Sequence, residues 1–194
     1  MGSFSPVRHG SRSPDVAGLL EILEDRKVRF ILIGSVAAAA YGVELEAGDL
    51  DIVPDTDEAN LRALVYALRD MEAEPLGPFG DWTVLESGEK KWIPRPTTEQ
   101  DLAEWMPDVE ALWTLDHLYV TRLGNFDVVP EIAGTYDTLR ARACLRSCEG
   151  IDVWVAHIDE LLARLTVPRR EKDIPRVAAL REIQRSHGTE TDRS

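Results

Sequence analysis

Apolar residues recur at Val16, Leu19, Leu20 and Leu23, the spacing of one face of a helix. Asp15 stands in front of them as a capping side chain, so the pattern predicts a helix over DVAGLLEILEDRK. The period then changes. VRFILIG is an unbroken apolar run, rich in β-branched residues and stopped by glycine, which predicts a buried strand. The small residues 36 to 41 suit a helix packed closely on that strand, and LDIV supplies the next strand. In DEANLRALVYALRDM the positions Leu61, Leu64, Val65 and Leu68 share one face, predicting an amphipathic helix that begins near Asp55 or Asp57.

Residues 75 to 115 lose this regularity, with prolines, glycines and tryptophans strung between polar clusters. Loops are expected there, with a strand around WTVLE and a short one near Trp113. HLYVTRLGNFDVVPEI predicts two strands joined through Leu123-Gly124-Asn125. A helix TYDTLRARACL follows, with Cys144 and Cys148 four apart on a helix, then a strand IDVWVA. DELLARL and IPRVAALREIQRS close the chain as helices around Pro168. The expected organisation is α+β: a loose tail over 1–14, one domain over 15–186 whose helical C-terminal part begins near 158, and a second tail over 187–194. No internal repeat is visible.

Composition narrows the function. The chain has 194 residues, 44% hydrophobic and 29% charged, enough to bury a core. No apolar run approaches the ~20 residues that cross a bilayer, and MGSFSPVRHGSRSP lacks the apolar core of a secretion signal. A cytoplasmic location, with no membrane partner, is the expectation. A formal charge of −13 opposes nonspecific nucleic-acid binding, which depends on Lys and Arg neutralising phosphates. Cys144 and Cys148 have no second pair to complete a zinc site and read as reduced packing residues. The four histidines show no spacing that suggests a nucleophilic triad.

The chemistry that remains is carboxylate chemistry. Asp49 and Asp51 flank Leu50 on one predicted strand, so both point to one face, and Asp127 lies on a later strand. The other alternating pair, Asp55 and Asp57, is explained by a loop and a helix start. The strand geometry permits these three to cluster, and carboxylates converging on a sheet face would repel unless a cation neutralises them. Mg²⁺ (or Mn²⁺) is the natural candidate, a hard ion that takes oxygen ligands and keeps positions open for substrate phosphates. Beside them, the glycine-serine turn at Gly34 and Ser35 exposes backbone N–H groups that favour an anion. A basic stretch runs from Arg164 to Arg185. Its bland reading is a solvated helix face; its functional reading has Arg170 or Lys172 reaching a substrate phosphate, with Asp173 orienting Arg170. Trp92, Trp105 and Trp113 offer either base-stacking surfaces or packing, and Thr121 and Tyr136 read as packing residues.

The ordered set of strand, Gly34-Ser35, helix, Asp49-x-Asp51 strand and distant Asp127 strand resembles the nucleotidyltransferase superfamily, the fold of DNA polymerase β and of small bacterial nucleotidyltransferases including AbiEii-type toxins. The resemblance spans roughly residues 17 to 183 and extends to TRLGNFDVVPEIAGTYDTLRARA and IDVWVAHIDELLARLTVPRREKD, which look like an uncharacterised bacterial branch. It implies a small mixed sheet with helices packed on one side and a short helical C-terminal part. It further implies transfer of a nucleoside monophosphate from an NTP to a hydroxyl, with release of pyrophosphate. Asp49, Asp51 and Asp127 would be the metal-binding and catalytic residues, and Gly34 and Ser35 would cradle the triphosphate. The acceptor would be a protein side chain, an RNA end or a small molecule, and a cognate antitoxin or toxin is an implied partner. Three positions depart from the branch: Leu45 and Ala47 stand where it has Arg and Thr, and Leu165 where it has Lys, although Arg170 and Asp173 match. These departures raise the alternative of a catalytically degenerate binding module.

Overall fold

The computed structural model of the protein describes residues 13–76, 79–85, 88, 90–96, 98–112, 117–129, 134–165 and 173–191. Asp15 caps helix α1 (Val16–Asp25) by accepting from the Gly18 N–H at 3.0 Å, and Leu19, Leu20 and Leu23 go into the core. Strand β1 (Phe30–Ile33) carries the buried run Ile31, Leu32 and Ile33. It passes directly into helix α2 (Gly34–Ala40), after which strand β2 (Leu50–Pro54) returns antiparallel to β1.

Helix α3 (Glu58–Asp70) starts where expected, with the Asp57 carboxylate accepting from the Ala59 and Asn60 N–H groups. Its buried Asn60 accepts from the Arg29 N–H at 2.6 Å and donates to the Arg29 and Asp55 carbonyls. One amide therefore ties α3 to the outer ends of both strands. The Asp55 carboxylate accepts from the Asp57 N–H at 3.0 Å and from Arg29 Nε at 2.8 Å, and with the Asp57 cap this accounts for both aspartates as structural residues. Strand β3 (Glu74–Pro75) follows. The strand expected around WTVLE is β4 (Gly80–Val84), which pairs with β5 (Lys90–Pro94) in a separate two-stranded sheet. Helix α4 (Glu99–Glu104) opens on a capping box between Thr98 and Asp101. Arg95, and then Thr98, hold the Asp101 carboxyl well below the usual carboxylate range. Helix α5 (Val109–Leu112) precedes residue 113, so the strand expected near Trp113 lies outside the described residues.

Strands β6 (His117–Thr121) and β7 (Gly124–Val128) form the expected hairpin. Thr121, 4% exposed, locks its turn by accepting from the Leu123 N–H at 3.0 Å and donating to the Gly124 carbonyl at 2.8 Å. Helix α6 (Tyr136–Arg140) is shorter than its sequence predicts. Cys144 and Cys148 lie on strand β8 (Cys144–Cys148) instead of on a helix. The turn at Glu149 and Gly150, both with left-handed φ (53° and 85°), folds β8 onto β9 (Ile151–Val155). Pairing with β9 overrides the helical preference of the local residues. Helices α7 (Ile158–Arg164) and α8 (Asp173–Thr191) close the chain, and the segment around Pro168 lies outside the described residues.

The seven-stranded sheet has the order β3-β6-β7-β2-β1-β9-β8. β1 with β9 and β2 with β7 are parallel, and the other pairs are antiparallel. The central strands β1 and β2 contribute Ile31, Leu32, Leu50 and Ile52, all fully buried. Among the described residues no helix is long and apolar enough to cross a membrane.

Candidate metal centre

The site is built at the central strand pair. Leu50 and Ile52 face the core at 0% exposure, so the alternation of the strand turns Asp51 the other way, where it is half-buried. Asp49, immediately ahead of β2, follows the same alternation. On one side Asp51 is opposite Ile33 of β1, and on the other it is in register with Asp127 of β7. Neighbouring strands are about 4.8 Å apart and residues in register share a face, so this pairing brings two residues 76 positions apart onto one patch. A carboxylate oxygen from each of Asp49, Asp51 and Asp127 lies within 4.8 Å of the others, and all three residues are half-buried.

Gly34 is part of this geometry. It stands at the junction of β1 and α2 with φ +73°, and a Cβ built on it would lie 1.8 Å from Asp51 Oδ2 and 2.6 Å from its Cγ. Both the backbone conformation and the space exclude a side chain. Ser35 follows, 3% exposed, and its hydroxyl donates to the Asp49 carbonyl oxygen at 3.4 Å. The turn is thereby stitched to the residue that begins the carboxylate pair. At the far end of α2, burial pushes the Tyr41 hydroxyl up to about 12, and it donates to the Ala156 carbonyl at 3.1 Å. That bond anchors α2 against the segment following β9.

Three carboxylates this close repel one another strongly at neutral pH unless a cation shares them. The donor set is all oxygen, half-exposed and incomplete as a cage, which suits an ion that retains open positions for other ligands. Residues far apart in sequence thus form one acidic, hard-ligand patch beside a glycine turn.

The remaining sequence-predicted residues fall in several locations. Arg170 and Lys172 lie outside the described residues. Asp173 opens α8 and is 7% exposed. Tyr136 lines a separate cavity of about 300 Å³ with Phe30 and Trp154, where Arg140 stacks on the Trp154 ring at 3.4 Å. Trp105 packs on Tyr119 with ring centres 5.7 Å apart, Trp92 lies on β5 opposite Trp82, and Trp113 lies outside the described residues. Leu45 and Ala47, the divergent positions, line a groove of about 830 Å³ together with Pro175, Arg176 and Ala179 of α8. Sequence periodicity gave no sign of that groove, because it depends on how α8 folds back over residues 43–48.

No protein-family model and no curated protein matches the chain. Among solved structures it is similar to the antibiotic-resistance factor ANT(2'')-Ia, at 12% identity over 90% of this chain and 83% of that one, with a TM-score of 0.54. It is also similar to the lincosamide antibiotic adenylyltransferase LnuA, in its lincomycin-bound structure, at 15% identity over 87% of this chain and 95% of that one, with a TM-score of 0.50. The chain has the nucleotidyltransferase-like α+β fold.

Proposed function

We propose that this protein is a metal-dependent nucleotidyltransferase that moves a nucleoside monophosphate from an NTP to a hydroxyl acceptor and releases pyrophosphate. The observation that carries the reading is the convergence of Asp49, Asp51 and Asp127 within 4.8 Å beside Gly34. In this scheme Asp49, Asp51 and Asp127 would together hold Mg²⁺ or Mn²⁺. When bound, the ions would neutralise phosphate charge and stabilise the attacking and leaving oxygens of an in-line displacement.

The protein's own residues do the rest. Asp127 accepts the proton of the acceptor hydroxyl as the new O–P bond forms at the α-phosphorus, and the bond to the β-phosphate oxygen breaks. In this scheme the turn at Gly34 and Ser35 cradles the triphosphate, and the bare Cα of Gly34 makes room for the Asp51 carboxylate. Arg170 or Lys172, from the basic stretch in the sequence, is assigned to phosphate contact, and Arg170 also matches the pattern of the resembling branch. The lincomycin-bound neighbour makes a small-molecule hydroxyl one acceptor class beside a protein side chain or an RNA end. The toxin–antitoxin setting, with a cognate partner protein, rests on the sequence resemblance alone.

The second reading is a degenerate binding module, favoured by Leu45, Ala47 and Leu165 in place of Arg, Thr and Lys. Incubation with each of the four γ-³²P-labelled NTPs, Mg²⁺ and a panel of protein, RNA and small-molecule acceptors separates the two. Transfer predicts pyrophosphate release by the wild type with at least one NTP and its loss, by about 100-fold or more, in Asp127→Asn. Absence of release with every NTP and with a panel of protein, RNA and small-molecule acceptors contradicts it.

A further inference from the structure

The groove between residues 43–48 and the start of α8 is lined on one side by Val43, Leu45 and Ala47 and on the other by Pro175, Arg176 and Ala179. At about 830 Å³ it is of the size that holds a small molecule the size of a nucleotide. Gly48 also lines it, so the groove runs up to Asp49 and the acidic patch.

Its lining is unusual in one respect. Arg176 Nε is buried without a hydrogen-bond partner among the described residues. Arg146 Nε is likewise unpaired, but its guanidinium lies over the Tyr41 ring at 4.2 Å and is compensated there. No ring or carboxylate does this for Arg176 among the described residues. Arg176 itself is half-buried, so the unpaired N–H at its buried Nε is a cost, and a modest swing of the side chain offers its planar fork to an acceptor entering the groove. Phosphate oxygens match that fork best. Glu44 and Glu46, both exposed, stand on the rim, where carboxylates accept from the hydroxyls of a ribose. The apolar walls suit the faces of a base. Acceptor oxygens, donor hydroxyls and an apolar ring are together the features of a nucleotide.

We propose that this groove receives the nucleotide, with the nucleoside between residues 43–47 and α8 and a phosphate oxygen on the Arg176 guanidinium. The proposal rests on the transferase reading and deepens it: a guanidinium on α8 and an apolar wall at Leu45 and Ala47 make up the nucleotide contacts.

Titration calorimetry of the full chain with ATP, GTP, CTP and UTP in Mn²⁺ tests it. Arg176→Ala should weaken the best-bound NTP about 10- to 100-fold, the range for a hydrogen bond to a charged group. Leu45→Trp, which fills the groove from the wall opposite α8 and leaves residue 176 as arginine, should weaken it at least about tenfold. Mn²⁺ binding without nucleotide should be unchanged in both. Should Arg176→Ala fail to fold, Leu45→Trp alone decides. If both variants bind NTP like the wild type while Asp49→Asn does not, the groove assignment is overturned and the transferase reading stands. If the wild type binds no NTP in Mn²⁺, both fall together.

Discussion

At the scale of single residues, Gly34 carries a load that no other amino acid can. Its φ of +73° is in the left-handed region, and the position its Cβ would take is occupied by the Asp51 carboxylate, 1.8 Å away. Gly42 provides the control, with φ +95° and nothing within 4 Å. Gly42→Ala should lose only the backbone term of about 1–2 kcal/mol and keep its affinity for Mn²⁺. Gly34→Ala should lose more stability and, through displacement of Asp51, its Mn²⁺ affinity as well. Thermal melts and Mn²⁺ titration of the two variants check this; equal Mn²⁺ affinity in both would show that Asp51 does not need the bare Cα. The alternation of Asp49 and Asp51 was legible because a strand has a period of two. The reason for Gly34 was only half legible: a glycine before a helix announces a turn, but its approach to Asp51 follows from the pairing of Ile33 with Asp51, which no local pattern encodes.

At the scale of elements, the joint between α7 and α8 rests on Asp159. It accepts from Arg142 Nη2 at 2.7 Å and from Gln184 Nε2 at 2.5 Å, so one carboxylate links the turn after α6, the first turn of α7 and the middle of α8. The Arg142 bond, assisted by Gln184, holds its carboxyl below the usual range. A depressed folded pKa means that this stabilisation is fully present above the unfolded value of about 3.9 and is lost as pH falls through the folded one. Asp159→Asn should therefore melt below the wild type at neutral pH, with the gap closing as pH drops below about 4. A gap that persists unchanged into acid would assign the loss to packing instead. Helices with strong caps and apolar faces, such as α1 and α3, were legible to within a residue or two. The β8–β9 hairpin was not: ARACLRSC has helical spacing, and its strand state comes from Val153 and Val155 across a turn whose first residue, Glu149, is not a glycine.

At the scale of the whole molecule, the sheet order β3-β6-β7-β2-β1-β9-β8 creates the site. Insertion of β7 beside β2, parallel and with Asp127 in register with Asp51, joins two halves of the chain. Hydrophobic period gives strands but not their order, so the meeting of Asp127 with Asp49 and Asp51 was legible only through resemblance to a known fold. The groove under α8 stayed hidden for the same reason. With a net charge of −13, the protein attracts cations nonspecifically, so a specific site must bind above that background. Electron paramagnetic resonance of Mn²⁺ with the wild type and Asp51→Asn, at an ionic strength that screens diffuse attraction, measures this directly. Saturable Mn²⁺ uptake by the wild type, strengthened by NTP and lost in Asp51→Asn, is the predicted result. Uptake that is equal in the two proteins, or absent from the wild type even with NTP present, would contradict the metal centre and the chemistry built on it.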